Sequence, residues 1–189
     1  MEYLKNFKTY VALMVMSLAF AFASCDREGD NNDNSTKPVE ATQWNYKLTV
    51  DVADGAEDQR AVMNTIVSLP NHNGEMQTKN LSLATEWSFT PSSCIGTLPA
   101  ERVIKITQNV KEDVDLSTKE EYKVGIRYRL YVYSMNAEEG VVEYDIKECE
   151  NFEVVPAENM NHLYPETTTL RFAVDAKGVV TIVGELNEE

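Results

Sequence analysis

The stretch EYKVGIRYRLYVYSM, residues 121–135, carries an apolar or aromatic side chain at nearly every second position. Successive side chains of a β-strand point to opposite faces, so this period of two predicts one long strand with one face in a core. The expected core-facing set is Tyr122, Val124, Ile126, Tyr128, Leu130 and Val132. The opposite face then carries Lys123, Arg127, Arg129, Tyr131 and Tyr133.

Shorter stretches with the same period follow one another from about residue 43. Residues 48–52 and 142–146 alternate apolar and polar side chains, and the weaker strand candidates are 61–69, 81–90, 102–110 and 151–155. Near the end, alternation on both sides of Asp175-Ala176-Lys177-Gly178 predicts a tight hairpin. Gly178 is expected at a positive φ, which glycine adopts without strain.

These patterns predict eight or nine strands, with helical periodicity confined to short segments at 56–60 and 117–121. Many strands joined by turns indicate an all-β fold, a single antiparallel β-sandwich, with a β-barrel as the alternative. The long strand, the turn at 136–140 and the returning strand resemble the central hairpin of immunoglobulin-like and fimbrillin-type domains. The resemblance implies an immunoglobulin-like or fimbrillin-like sandwich and no particular activity.

Residues 1–24 have the three parts of an export signal. Lys5 and Lys8 precede an apolar stretch at 11–23, which is shorter than the roughly 20 residues of a transmembrane helix. Phe22-Ala23-Ser24-Cys25 resembles the lipobox of bacterial lipoproteins, although Phe22 stands where an aliphatic residue is usual. The resemblance implies cleavage before Cys25 and lipidation of its thiol, which anchors the chain to a membrane. Ordinary signal-peptidase cleavage after Ala23 is the alternative.

Residues 25–42 are expected to form an acidic tether, and residues 43–189 the sandwich domain. The sequence DREGDNNDNS that follows Cys25 has too little apolar surface to fold. Its acidic residues resemble the surface-export signal of lipoproteins in the Bacteroides group. This resemblance implies a lipid-anchored position on the outer membrane, facing the cell surface. The alternative is a spacer of arbitrary composition on a lipoprotein that faces the periplasm.

The formal net charge of the chain is −14, and it becomes −15 when residues 1–24, with two lysines and one glutamate, are removed. A strongly acidic chain is repelled by phosphate backbones and by anionic lipid head groups. Nucleic acid is therefore excluded as a partner, and the membrane contact is expected to run through the lipid on Cys25.

Neither the cysteines nor the histidines form a motif for catalysis. Cys94 and Cys149 remain after lipidation and are candidates for a disulfide outside the cytoplasm, with two separate thiols as the alternative. His72 and His162 lie in polar stretches and lack the spacing of metal ligands or of an acid–base pair. We predict no catalytic residue, no metal site and no cofactor.

The candidate binding face is the row Arg127, Arg129, Tyr131 and Tyr133. Aromatic rings and guanidinium groups on a flat sheet can stack on sugars or anchor a protein. In the alternative interpretation, these side chains pair across strands with Glu143 or Asp145 and only stabilise the sheet.

The function expected from the sequence is that of a non-enzymatic cell-envelope lipoprotein that binds a protein or a glycan at the cell surface. A structural subunit or adhesin of the fimbrillin type, built by strand exchange at 168–173 or 179–186, is the alternative. A glycan-directed hydrolase with dispersed carboxylates ranks behind both, since no motif selects an acid and a base.

Overall fold

A computed structural model describes residues 39–71, 74–81, 87–90 and 96–183. All of them belong to one unit, Pro38–Glu189. Strands make up 63% and helices 11% of these residues, so the fold is all-β, as predicted. The export signal, Cys25 and most of the tether lie outside the described residues.

Nine strands occur in the described ranges. They are β1 Gln43–Val52, β2 Met63–Pro70, β3 Met76–Leu81, β4 Trp87–Phe89, β5 Ala100–Val110, β6 Glu121–Asn136, β7 Gly140–Pro156, β8 Glu166–Val174 and β9 Val180–Val183. The helical elements are short: α-helices at Gln59–Val62 and Met160–Leu163, and 3-10 turns at Leu116–Thr118 and Ala157–Asn159. Within these same ranges, no helix has the length and apolar character needed to cross a bilayer.

The strands form two antiparallel sheets. Sheet A has the order β4-β1-β6-β7, and sheet B has the order β3-β2-β5-β8-β9. The inner faces of the two sheets pack on a shared core, which confirms the predicted sandwich. The β-barrel alternative is wrong for the described residues, since the strands form two separate sheets and no closed barrel.

The main core lies between the sheets and contains the buried face of β6. Ile126, Tyr128, Leu130 and Val132 pack there with Trp44, Tyr46, Leu48, Val50, Ile104, Ile106, Leu170 and Phe172, among others. Tyr122 and Val124, from the same face of β6, belong to a second cluster with Val62, Met63, Val155, Met160 and Tyr164. Every predicted core residue of β6 is at most 5% exposed, so the period-two interpretation is confirmed.

Strand β7 is longer than the alternation in the sequence indicated. The predicted strands 142–146 and 151–155 are parts of one 17-residue strand, which pairs with β6 from Asn136↔Gly140 to Glu121↔Pro156. The intervening residues are mainly polar because β7 is the edge strand of sheet A and exposes most of its side chains. An edge strand with little burial lacks the apolar alternation by which strands are predicted.

The C-terminal hairpin forms as predicted. Strands β8 and β9 pair across a turn in which Gly178 has a φ of 86°. The carboxylate of Asp175 accepts hydrogen bonds from the backbone N–H groups of Lys177 and Val179. A short acceptor side chain at the first turn position thus satisfies donors that the tight turn would otherwise leave unpaired.

Candidate functional site

The four predicted face residues lie in one row on the outer face of sheet A. Arg127, Arg129, Tyr131 and Tyr133 alternate with the buried residues of β6 and are exposed or half-buried. Because β6 lies between β1 and β7, the row runs along the middle of a three-strand surface.

A tyrosine cluster occupies one end of this surface. The rings of Tyr131 and Tyr133 stack with centroids 5.1 Å apart and planes 26° apart, and Tyr144 of β7 tilts against Tyr131 at 5.7 Å. Tyr144 is 58% exposed, and Ile146 beside it is 37% exposed. Partial burial, together with the two neighbouring phenols, raises the pKa of Tyr131. We refer to Tyr131, Tyr133 and Tyr144 as the tyrosine cluster.

Sequence reasoning missed the role of Tyr144 and Ile146. In 142–146 the apolar residues were the natural candidates for the core, and Glu143 and Asp145 for solvent. The register is the deciding factor, since Tyr144 lies opposite Tyr133 and Ile146 opposite Tyr131. Directly opposite residues in an antiparallel pair share a face, so both join the exposed row of β6. Asp145 points the other way and accepts a hydrogen bond from the backbone N–H of Ile182 at 2.9 Å.

Ion pairs occupy the rest of the surface. Arg127 binds Asp51 at 2.8 Å and Asp54 at 3.1 Å, while Arg129 binds Glu148 at 2.8 Å. The hydrogen bond to Asp51, followed by the charges of Asp54 and Asp51, raises the pKa of Arg127.

In the alternative interpretation, these arginines pair with Glu143 or Asp145. The arginines do form ion pairs, but this prediction of their partners is wrong. Glu143 lies opposite Ser134 and Asp145 opposite Val132, both of which are buried. Their side chains therefore project from the other face of sheet A. The carboxylates that meet the arginines come from β1, from the loop after it and from the exposed face of β7.

A shallow groove runs along β6 between these groups. Its central part is a cavity of about 370 Å³ lined by Thr49, Asp51, Arg127, Arg129, Glu148 and Glu150, with Tyr128 and Cys149 below. A cavity of about 320 Å³ adjoins it through Thr49 and Arg129 and is lined by Lys47, Tyr131 and Ile146. A third, also about 370 Å³, adjoins it through Asp51 and Arg127. We call this continuous depression the sheet A groove.

The loop that follows β1 forms one end of the groove. The backbone N–H of Asp54 donates to Glu150 at 2.8 Å, and that of Ala53 donates to the carbonyl oxygen of Gly125 at 3.1 Å. Asp58 accepts hydrogen bonds from the ammonium group of Lys119 at 2.5 Å and from the backbone N–H of Lys123 at 3.0 Å. Burial alone would raise the pKa of Asp58, but the hydrogen bonds and charges of both lysines lower it below its usual value.

A buried amide pair fastens the same loop to the sheets. Gln59 is 1% exposed. The side-chain carbonyl oxygen of Gln59 accepts a hydrogen bond from the backbone N–H of Gly125 at 2.8 Å. Its side-chain NH₂ group donates to the side chains of Gln108 at 3.0 Å and Thr65 at 3.4 Å. Buried polar groups are costly unless paired, so this network specifies the position of the loop. No motif in the sequence marks these residues as partners.

Gly125 is required where β6 meets β7. A Cβ atom there would overlap the carbonyl oxygen of Asn151 and come within 2.8 Å of the Cα atom of Phe152. Phe152 lies opposite Gly125, and its ring is within 3.6 Å of the space that a side chain at Gly55 would enter. The ring therefore packs over the glycine-containing loop, which accounts for this large apolar residue on the outer face.

Among the remaining candidates that the structure describes, Cys149 lines the central cavity of the groove and His162 does not. His162 is exposed on the short helix Met160–Leu163. Cys149 is half-buried, while its candidate partner Cys94, like Cys25 and His72, lies outside the described residues. A bond between Cys94 and Cys149 thus stays a prediction. Over the described part of the chain, no three His, Cys, Asp or Glu side chains come together as metal ligands would.

Comparisons with known proteins give no relative for this chain. No protein-family model matches it. No curated protein and no solved structure shows a significant match either.

Proposed function

We propose that the chain is a non-enzymatic lipoprotein of the bacterial cell envelope that binds a glycan or a protein on the outer face of sheet A. The observation that carries the proposal is the tyrosine cluster, which lies partly exposed on an open sheet face beside the ion pairs of Arg127 and Arg129. Aromatic side chains supply large contact areas at a low cost in conformational entropy, and for this reason they are common at recognition surfaces.

Binding fits the carboxylates of the groove better than hydrolysis does. A glycosidase needs one carboxylic acid that can give a proton to the leaving group and a second carboxylate that acts as base or nucleophile. In the groove, Asp51, Asp54 and Glu148 each accept a hydrogen bond from an arginine side chain. Carboxylates held this way are suited to orienting a ligand.

We propose that the domain is located at the outer membrane, anchored by a lipid on Cys25, with the groove facing the cell surface. The support is the lipobox-like sequence around Cys25 and the acidic residues after it. Protease shaving of intact cells, combined with mass spectrometry of the N-terminal peptide, tests both parts. Cleavage of the domain and an acylated Cys25 are expected. An acylated but protected domain would place the binding face in the periplasm, and an unmodified Cys25 would overturn the anchor.

Photo-crosslinking tests the binding face in living cells. A photoreactive phenylalanine at position 133 is expected to capture a glycan or protein, and the same group at position 76 is the matched control. Met76 is 54% exposed, close to the 58% of Tyr144 in the tyrosine cluster, but lies on β3 at the edge of sheet B. Equal capture at both positions, or capture only at position 76, would contradict the assignment of the face.

A fimbrillin-type subunit is the second candidate, and the edge position of β9 favours it. Over the described residues, which end at Val183, β9 pairs with β8 alone at the edge of sheet B. An edge strand is the one that a neighbour can replace. Light scattering of the full chain in detergent, with hydrogen exchange across Val180–Val183, decides the matter. A monomer with slow exchange at β9 would exclude strand exchange, whereas a fibre with new protection there would support it.

A further inference from the structure

Given the proposed function, on which this inference rests, we propose that the ligand of the sheet A groove is an uncharged glycan chain lying along β6. The supporting observation is the order of groups on one face. Stacked phenol rings lie at one end, and arginines already paired with carboxylates follow along the strand. Each group is suited to one part of a sugar chain.

The tyrosine cluster presents aromatic surface that a sugar ring can cover. Tyr131 and Tyr133 are close to parallel, and Tyr144 stands tilted beside them. The C–H face of a pyranose ring is apolar, whereas its edge carries hydroxyl groups. Placing that face on the phenol rings removes apolar surface from water and leaves the hydroxyls at the rim.

The middle of the groove offers donors and acceptors side by side. The side chains of Arg129 and Glu148 are 58% and 60% exposed, so a ligand can reach both partners of the pair. A hydroxyl group donates one hydrogen bond and accepts others, and a neighbouring guanidinium and carboxylate therefore satisfy both its functions. Thr49, directly opposite Arg129 on β1, lines the same cavity, as do Arg127 and Asp51.

The charge arrangement selects against charged ligands. Arg127 and Arg129, in the central part of the groove, are both bound to carboxylates, so an anionic polymer there would have to displace Asp51 or Glu148. It would also meet a chain whose net charge is −14. A polycation would have to compete with Arg127 and Arg129 for the same carboxylates. Sugar hydroxyls, by contrast, can replace water around these ion pairs without breaking them.

A protein partner fits this surface less well. Protein interfaces are depleted of lysines and carboxylates at their centre, and covering ion pairs with a partner carries a large desolvation cost. Here the ion pairs occupy the centre of the groove and the apolar rings only one end. A glycan leaves the pairs in contact with hydroxyls and water.

The length of the row indicates a chain rather than a single sugar. Arg127 and Tyr133 are six residues apart on β6, which is about 20 Å at roughly 3.4 Å per residue. Several sugar units are needed to contact both ends. Affinity should therefore rise with the length of the oligosaccharide until the groove is filled.

The experiment uses the full chain purified in detergent and titrated with defined polysaccharides. The uncharged probes are xylan, mannan, dextran and mixed-linkage β-glucan, and the acidic probes are polygalacturonate and heparin. We expect at least one uncharged polymer to bind, with an affinity that changes less than about twofold between low and high salt, because no net charge is neutralised. Neither acidic polymer should bind.

Matched variants locate the binding on the groove. Tyr131→Ala should weaken binding by about tenfold or more, which corresponds to about 1.4 kcal/mol, whereas Tyr131→Phe keeps the ring and should retain it. Arg129→Gln should also weaken binding. Arg171→Gln is its control, because Arg171 forms a similar exposed ion pair with Glu101, at 3.6 Å, on sheet B. Circular dichroism and thermal unfolding of each variant verify that the fold is intact.

The outcomes separate this inference from the proposed function. Preferential binding of an acidic polymer, lost in Tyr131→Ala, would overturn the uncharged ligand but keep the face. The same holds if no polysaccharide binds and crosslinking at position 133 captures a protein. Binding of an uncharged polymer that Tyr131→Ala and Arg129→Gln leave unchanged would overturn the groove as its site. Absence of both polysaccharide binding and crosslinking would overturn the inference and the function together.

Discussion

Replacing Gln59 by leucine should destabilise the sandwich more than any single surface change, because the substitution leaves two buried groups without partners. The backbone N–H of Gly125 loses its acceptor, and the carbonyl oxygen of Gln108 loses its donor. Each orphaned buried polar group costs about 1–3 kcal/mol, and the added apolar surface of leucine offsets part of this loss. We expect the free energy of unfolding to fall by about 2–4 kcal/mol.

A double substitution isolates the amide pair. Gln108→Leu alone should cost about 1–2 kcal/mol, because the amide of Gln59 keeps only the longer contact to Thr65. In the double variant Gln108 can no longer be orphaned, so the combined cost should be smaller than the sum of the single costs by about 1 kcal/mol. The loss of unfolding free energy that remains in the double variant is expected to come mainly from the backbone N–H of Gly125, which still lacks an acceptor.

Urea unfolding of Pro38–Glu189, followed by tryptophan fluorescence, measures these energies. Trp44 is buried in the main core and reports its loss. The free energies come from linear extrapolation to zero urea. A Gln59→Leu variant within about 0.5 kcal/mol of the parent, or strictly additive substitutions, would refute the buried network as a source of stability.

Three further changes test the fold. Gly178→Ala should lower the melting temperature strongly, because φ is 86° and the new Cβ atom would overlap that of Ala41. Its control is Gly140→Ala, which has the same φ in open space and should cost only about 1 kcal/mol. Equal shifts of the melting temperature in calorimetry would contradict this expectation. Leu130→Ala, at 0% exposure, should cost about 2–5 kcal/mol in urea unfolding, and a loss under about 1 kcal/mol would mean that the core collapses around it. The lowered pKa of Asp58 means that its stabilising contribution is present above the ordinary pKa of 3.8 and is lost as the pH falls through the lower folded value. Asp58→Asn should therefore flatten the fall of the urea midpoint below about pH 4, and an unchanged acid profile would count against the two lysine contacts.

Local sequence was sufficient for the elements whose side chains divide between a core and solvent. The alternation in 121–135 predicted β6, its buried face and the outer row that forms the groove. The turn at Asp175 and Gly178 was equally visible, since it depends on four consecutive residues. These features require only the period of a strand and the conformational range of glycine.

Edge strands were harder to predict for a physical reason. Strand β3 is exposed along nearly all of its length, and β7 exposes both polar and apolar residues. Backbone pairing with a neighbour holds such strands in place, and this interaction leaves no periodic signal in the side chains. The sequence therefore indicated only fragments of β7 and gave Tyr144 the wrong face.

The chain alone specified an all-β sandwich, its central strand and the types of group on that strand's exposed face. Only the tertiary structure decided which residues meet those groups. Arg127 lies 76 residues from Asp51 and 73 from Asp54, and Gln59 lies 49 from Gln108. Contacts over such separations depend on strand register and sheet order, which many sequences with the same alternation would leave open. The groove, its ion pairs and the tyrosine cluster are products of that register.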